Sequence, residues 1–501
     1  MLLVLSVAGC DADRPRESDM PQVTAFAEHE STAIGARLAK LAADHPGKSG
    51  FAIIRYGQPA LAARIAMADL AEKSLDIQYY IWEADPTGRL LTERLVRAAD
   101  RGVRVRVLVD DINLSGRDAR IAALDAHPNI EIRIFNPFRN RGIRVLDFVT
   151  DFARINHRMH NKTMIVDNAL SLVGGRNIGA HYFQSHAVSN FRDLDIVGAG
   201  PIVRETSNVF DRFWNGAWAV PVAELADRPY TEEDQRKAIE VIRTQIEADN
   251  YPLPIDTDVQ NLMHRLDDIF ADFVWAPGEM VWEDPSRVFG DDSSGHMNEA
   301  LHERLLSLEK ELLIESAYFV PGDRGIEAAK NLRDRGVRVR VLTNSLSAND
   351  VLAAHAGYSK YRKDLIRAGV ELYELRPFPG AVDKKVVSAE SKAALHTKAI
   401  VFDREAVFIG SFNLDPRSAT LNTEAGLYVE SPEIARQVIE YMEEGVAPEN
   451  AFRVLLDDDD DLRWVIEKDG FRLDYDKDPN SAWYQRWAAG LIRMLPIEKQ
   501  L

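Results

Sequence analysis

Valine and arginine alternate in Arg101-Gly-Val-Arg-Val-Arg-Val-Leu108, and the same eight residues return as Arg335-Gly-Val-Arg-Val-Arg-Val-Leu342, displaced by 234 positions. A period of two predicts a strand. Each copy follows a helix-like stretch, Leu90 to Asp100 and Ile326 to Asp334, with glycine placed as a helix stop. Upstream, Ser74 to Ile81 and Leu312 to Phe319 predict matching strands. Downstream, Glu131 to Phe135 and Glu371 to Leu375 do the same, each followed closely by Pro-Phe. Strand, helix, strand, helix, strand, twice over, is an α/β pattern with right-handed crossovers. One fold is therefore expected in duplicate, over 31–222 and 296–450.

The stretch 223–295 has no counterpart and is rich in Asp, Glu and Pro. It contains one helical segment, Glu232 to Ala248, and then looser sequence, so it reads as a connector that also covers the core. Residues 451–501 form a C-terminal extension. There Trp483, Trp487 and Leu491 recur every four residues, with Ile492, Met494 and Leu495 beside them. That spacing predicts an amphipathic helix. Its apolar stripe either packs on the catalytic core, as such stripes usually do, or lies on a bilayer surface.

Composition narrows the classes. The 501 residues are 46% apolar and 28% charged, with a formal net charge of −18. A chain so acidic is poorly suited to gripping a nucleic-acid backbone, although a local positive pocket remains compatible with it. The one cysteine, Cys10, excludes an internal disulfide. It closes an uncharged, apolar start (Met1 to Gly9) with Val7-Ala8-Gly9 before it, which resembles a bacterial lipobox. A basic leader does not precede it, an omission that a start farther upstream accounts for. Cys10 is thus the expected lipidation site, 1–10 the signal remnant, and the polar stretch 11–30 a tether. Asp11 after the cysteine resembles an inner-membrane retention cue, so the expected location is the periplasmic face of the inner membrane.

The chemistry recurs at the repeat period. His160-Asn-Lys162-Thr-Met-Ile-Val-Asp167 matches His396-Thr-Lys398-Ala-Ile-Val-Phe-Asp403, 236 residues on. On a strand, His160 and Lys162 share a face, as do His396 and Lys398. Asp167 and Asp403 fall on the other face and are expected to anchor the following turn. Each segment runs on into a turn of small residues, Gly174-Gly-Arg-Asn177 and Gly410-Ser411-Phe-Asn413, where backbone can approach a ligand and amides can donate. Farther on, Asp193 aligns with Glu424, one carboxylate per repeat. Face to face, the repeats offer two histidines, two lysines, two amides and two carboxylates. This set suits phosphodiester chemistry without a metal or other cofactor. Cations and amides neutralise the phosphate, one histidine attacks phosphorus and the other moves the proton. Asp193 and Glu424 are candidates for fixing the histidine tautomers.

The doubled His-x-Lys-x4-Asp with its glycine-rich turn and asparagine resembles the phospholipase D superfamily, over roughly Gly50 to Val220 and Met297 to Glu440. Asp76 to Trp82, Asp85-Pro-Thr-Gly88 and Trp487 to Pro496 look like cardiolipin synthases of the periplasm-facing C type. The resemblance implies a duplicated phospholipase D fold, two mixed β-sheet repeats flanked by helices around a single interfacial active site. It implies a catalytic set of His160, Lys162, Asp167, His396, Lys398 and Asp403, supported by Asn177, Ser411 and Asn413. His160 would carry the phosphatidyl group and His396 would act as acid, then base; the near-equivalence of the repeats leaves the opposite assignment open. Arg176 stands where the family often has a small or hydroxyl residue.

Phospholipids are the expected substrates and phosphatidylglycerol the expected acceptor. A phospholipase D hydrolase that releases phosphatidic acid is the alternative. A nuclease is disfavoured by the acidic charge, and a non-catalytic lipid-binding lipoprotein by two intact motifs. His157, three residues before His160, lacks further ligands of metal-site spacing. Asp457 to Asp461 reads as a solvated acidic face, since it lacks a calcium-loop pattern. His127, His181, His186, His302 and His355 are read as surface or structural.

Overall fold

The computed structural model describes residues 22–249, 259–289, 296–378 and 391–495. Cys10 and the part of the expected tether before residue 22 lie outside the described residues. In chain order the first half supplies β1 (Ser49–Ile54), β2 (Ser74–Tyr79), β3 (Arg104–Asp110), β4 (Ile130–Phe135) and β5 (Thr163–Val166). It continues with β6 (Leu170–Gly174), β7 (Ser189–Arg192), β8 (Asp195–Ala199) and β9 (Ala219–Pro221). Next come β10 (Val274–Ala276) and β11 (Gly278–Trp282), then β12 (Glu311–Ser316), β13 (Arg338–Asn344), β14 (Glu371–Leu375) and β15 (Lys392–Leu395). The chain closes with β16 (Lys398–Phe402), β17 (Ala406–Gly410), β18 (Ala425–Glu430), β19 (Ala451–Leu456), β20 (Leu462–Lys468) and β21 (Phe471–Tyr475).

Two mixed sheets result, ordered β10-β1-β8-β6-β5-β2-β3-β4-β9 and β11-β18-β17-β16-β12-β13-β14-β19-β20-β21. The predicted α/β units form their parallel parts, β2-β3-β4 and β12-β13-β14. The helix joining β2 to β3, Pro86–Asp100, starts where the Asp85 side chain accepts from the Gly88 N–H and Pro86 supplies a preset first turn. It stops at Gly102, whose φ of 93° is the left-handed conformation that glycine adopts without strain; Gly336 repeats this at 79° after the helix Gly322–Asp334. The duplicated Arg-Gly is thus a helix terminator followed by a strand.

Central strands are buried on both faces and feed two cores by alternation. Met164, Val166, Leu172 and Val197 pack under the helices of the first half. Their neighbours Ile165, Val173 and Ile196 meet Leu313, Val401, Val407 and Leu427 of the second sheet. Truncating Ile165 to alanine in this shared core would cost about 2–5 kcal/mol. The second arginine of each repeated strand, Arg106 and Arg340, is also buried. Arg106 pairs with Asp76 at 2.6 Å and Asp211 at 2.8 Å, and Arg340 with Glu443 at 2.7 Å.

Two expectations are corrected. The connector is not loose after Ala248: it holds a second helix, Val259–Ala271, and then β10 and β11. These short strands add an edge to each sheet, β10 on β1 and β11 on β18, and so tie the halves together. The C-terminal helix forms over Trp483–Arg493 and packs on the helix Leu352–Ser359 through buried Ala489. Its aromatic stripe does not face the core, for Trp483 is 72% and Trp487 63% exposed. No described helix is long and apolar enough to cross a membrane.

Candidate active site

His160 and His396 lie just before β5 and β16, on short irregular segments held by the other repeat. The His160 N–H donates to the Thr423 carbonyl at 2.9 Å, and the His396 N–H donates to the Arg192 carbonyl at 2.8 Å. Parallel pairing of β15 with β7 leads the second histidine in, and a bridge between Met159 and Thr423 leads in the first. The next residue after each anchoring carbonyl is the aligned carboxylate. Each histidine therefore meets the carboxylate of the opposite half.

His160 Nδ1 lies 2.8 Å from Glu424 Oε2, and His396 Nδ1 lies 2.6 Å from Asp193 Oδ2. An anionic acceptor assigns the proton to Nδ1 and leaves Nε2 to meet a substrate. The lysines turn back on their own histidines. Lys162 Nζ donates to the His160 carbonyl at 2.5 Å, while Lys398 Nζ donates to the His396 carbonyl and lies 2.9 Å from His396 Nδ1. Ser411 Oγ donates to Glu424 Oε2 at 2.5 Å and accepts from the Ala425 N–H at 3.0 Å. Both histidines, both lysines and both carboxylates are buried.

Burial sets the electrostatics. It lowers His160 to about 4 against the pull of Glu424, and it lowers His396 well below the usual imidazole value, helped by Lys398 and Lys162. Lys398 falls to about 8 and Lys162 well below its ordinary value, again by burial first. Burial raises Asp193. Glu424 feels the same push, but His160, Lys162 and Ser411 together hold it below the ordinary glutamate value. Burial thus favours neutral histidines beside a firm Glu424 carboxylate. An arriving phosphodiester supplies the negative charge that lets an imidazole take up a proton.

Other predicted residues stand farther back. Asp167 caps the start of β2, accepting from the N–H groups of Glu72, Lys73 and Ser74 at 3.0, 2.8 and 2.8 Å. Asp403 does the same for Glu309, Lys310 and Glu311 at the start of β12. Both sit a strand's length from the histidines, in left-handed turns with φ of 52° and 51°. Their place in the catalytic set is corrected to a turn anchor, because seven residues along a strand reach its far end. Asn177 is also engaged in the fold: its Oδ1 accepts from the Ile81 N–H and its Nδ2 donates to the Tyr182 hydroxyl. Asn413 is buried beside the site, and its Oδ1 has no hydrogen-bond partner among the described residues. Arg176 is buried behind Asp193, paired with Asp195 at 3.1 Å and donating to the carbonyls of Arg55 and Asp193.

Several contacts had no sequence signal. The Tyr80 ring meets His160 edge-on at 4.8 Å, and Tyr182 and Phe191 each lie 5.1 Å from the His396 ring. Glu283, just after β11, is buried with its carboxyl pushed up to about 7 by that burial, and its N–H donates to the Glu424 carbonyl. His157 is engaged by the Leu421 carbonyl at 2.8 Å. His355 is buried between Arg362 and Asp478, at 3.1 and 3.6 Å. Asp457 folds the acidic run into a turn by accepting from the N–H groups of Asp459 and Asp461.

The family model described as "Cardiolipin synthase, PLD-like domain" matches this chain twice, over residues 64–214 and 301–445. Cardiolipin synthase C of Escherichia coli (strain K12) is 37% identical over 478 residues, covering 91% of this chain and 97% of its own. An uncharacterized protein of Helicobacter pylori (strain ATCC 700392 / 26695) is 31% identical over 418 residues, covering 81% of each. The crystal structure of phosphatidylserine synthase from Haemophilus influenzae Rd KW20 superposes with a TM-score of 0.56 at 14% identity, over 83% of this chain and 91% of that one. That likeness shows the shared fold. With one copy of the domain in each half and the paired histidines drawn from both, the chain belongs to the phospholipase D-like family of cardiolipin synthases.

Proposed function

We propose that this protein is a phosphatidyltransferase that works through a phosphohistidine and forms cardiolipin, with phosphatidylglycerol as acceptor. The observation that carries the reading is the crossed pairing of each histidine with the opposite repeat's carboxylate, at 2.8 and 2.6 Å. Such pairing holds Nδ1 protonated and directs the Nε2 lone pair outward, as a nucleophile and a proton carrier both require. Family membership supports the substrate class.

His160 is the nucleophile in this scheme. Its partner Glu424 is held below the ordinary glutamate value and is anchored by Ser411, whereas His396 Nδ1 is contested by Asp193 and Lys398. In the first step Nε2 of His160 bonds to phosphorus and the P–O bond to the departing alcohol breaks. The imidazolium of His396 gives that alcohol its proton. In the second step neutral His396 takes the proton of the acceptor hydroxyl, the new P–O bond forms and the P–N bond breaks. Lys162, Lys398 and the Asn413 amide neutralise the phosphoryl oxygens as charge develops. No step draws on a metal. We place the protein on the periplasmic face of the inner membrane, held by a lipid on Cys10.

Membranes from cells expressing the protein, given labelled phosphatidylglycerol and a second labelled lipid, test the reading. Cardiolipin should form, and should be lost in both His160→Ala and His396→Ala. Phosphatidic acid as the sole product would mean a hydrolase instead, and no lipid turnover would overturn both.

A further inference from the structure

Residues 139–154, between β4 and β5, have the polarity of a folded segment turned inside out. Asp111 and Asp147 are fully buried beneath it. Asp111 takes Arg144 at 2.8 Å, Arg141 and the Phe138 N–H, and Asp147 takes the Asn140 N–H and side chain. Outside stand Ile143, Val145, Leu146, Phe148, Val149 and Phe152, with Val145 65% and Val149 82% exposed. Six large apolar side chains on a segment pinned by buried ion pairs form a built surface, of the kind that marks a docking site.

The second such surface is the helix Trp483–Arg493, with Trp483, Trp487 and Met494 turned outward. Both surfaces belong to the strand ends that carry the histidines. The first is tied to the site through the side-chain amide of Asn136, which donates both to the Arg154 carbonyl and to the carbonyl of His157, three residues before His160. The second packs on the helix that follows β13, whose last residue, Asn344, holds Leu395 beside His396 through two hydrogen bonds of 2.8 and 2.7 Å. Their charge departs from that of the chain. The four Arg of residues 139–154 are balanced by Asp147 and Asp151 within the segment and by Asp111 and Asp118, which pair with Arg141 and Arg144, while residues 483–493 hold two Arg and no acid, so neither surface shares the acidity of a chain of −18.

We propose that these two surfaces seat the protein on an anionic phospholipid bilayer, flanking the histidine site. Aromatic and aliphatic side chains of both surfaces enter the headgroup region, while exposed Arg493 at the end of the C-terminal helix meets lipid phosphate. A second copy of the chain bound over both surfaces would cover the edge where the histidines lie, whereas a bilayer delivers substrate there. The choice of lipid as partner rests on the phosphatidyltransferase reading, but binding is measured without turnover.

Flotation of the full chain with phosphatidylglycerol–phosphatidylethanolamine vesicles tests this, in a Cys10→Ser background so that no lipid anchor carries the result. The parent should float. The pairs Val145→Asp/Val149→Asp and Trp483→Ser/Trp487→Ser should each lower the bound fraction roughly tenfold, with turnover of a dispersed short-chain phosphatidylglycerol unchanged. A parent that fails to float would overturn the proposal, as would pairs that float like the parent. Loss of dispersed-lipid turnover in step with binding would mean site damage and overturn it too. So would sedimentation showing that the pairs split a dimer while vesicle binding persists. A parent that floats but turns over no lipid would leave the docking surface standing and remove the functional reading alone.

Discussion

The two half-sites reach one geometry by different means. Around His160 the carboxylate is the longer Glu424, and Ser411 fills the remaining space with a hydroxyl donated to it at 2.5 Å. Around His396 the carboxylate is the shorter Asp193, and the position of Ser411 is taken by Gly175. A Cβ on Gly175 would stand 2.3 Å from Asp193 Oδ1, so the backbone there comes right up to the carboxylate. Glutamate with serine and aspartate with glycine are two packing solutions that place an oxygen beside a histidine Nδ1. They are not electrostatically equal. Glu424, with a hydroxyl donor, is held below the ordinary glutamate value, while Asp193, although it accepts from the Leu194 N–H at 2.8 Å, is raised by burial and shares His396 with Lys398. A permanent anion suits the histidine that forms a covalent bond, and a softer partner suits the one that moves a proton both ways.

Removing either carboxylate's charge tests this most severely. Glu424→Gln and Asp193→Asn should each cut kcat by about 100- to 10,000-fold, because the tautomer is no longer fixed. Steady-state rates on folded protein check it, with equal and small losses contradicting the crossed pairing. Next in size, Gly175→Ala should displace Asp193 and cost roughly 10- to 100-fold, whereas Ser411→Ala, which deletes one hydrogen bond and adds no bulk, should cost roughly tenfold or less. A reversed order would break the distinction between the two packing solutions.

The pH profile sharpens the comparison further. Lys398, brought down to about 8 by burial, is charged below that pH and neutral above it. In kcat/KM, which reports the free enzyme, activity should fall about tenfold per unit above pH 8. An acid limb near 4 should mark protonation of His160. Lys398→Arg should remove the part of the alkaline limb that Lys398 sets near pH 8, at whatever rate remains. The smallest effect on chemistry is expected at the turn anchors. Asp167→Ala should leave kcat nearly intact and lower stability by about 1–3 kcal/mol, seen in denaturant unfolding, because three backbone N–H groups lose their acceptor.

The duplicated Arg-Gly-Val-Arg-Val-Arg-Val-Leu was enough to read the parallel strands and their helices, since alternation and a glycine stop are local signals. The same spacing put Asp167 and Asp403 off the site and the histidines with their lysines on it. It could not reveal that Glu424 serves His160 and Asp193 serves His396, because the partners lie 264 and 203 residues away. Nothing in the spacing of Tyr80, Tyr182 and Phe191 links them to the histidine rings they meet. β10 and β11, three and five residues long, were missed because they are too short for a period to register. Which way residues 139–154 face is shown only by the structure, through the buried Asp111 and Asp147.

The most direct test of the central claim is to trap the transfer halfway. His396→Ala enzyme mixed with membrane phospholipids 32P-labelled in their phosphatidyl groups, quenched at neutral to alkaline pH and digested, should yield label on the peptide containing His160, with the donor's headgroup alcohol released in equal amount. His160→Ala enzyme should yield none. Label on His396 would reverse the roles of the two half-sites, and turnover by the parent enzyme with no trappable label on either histidine would contradict the covalent account.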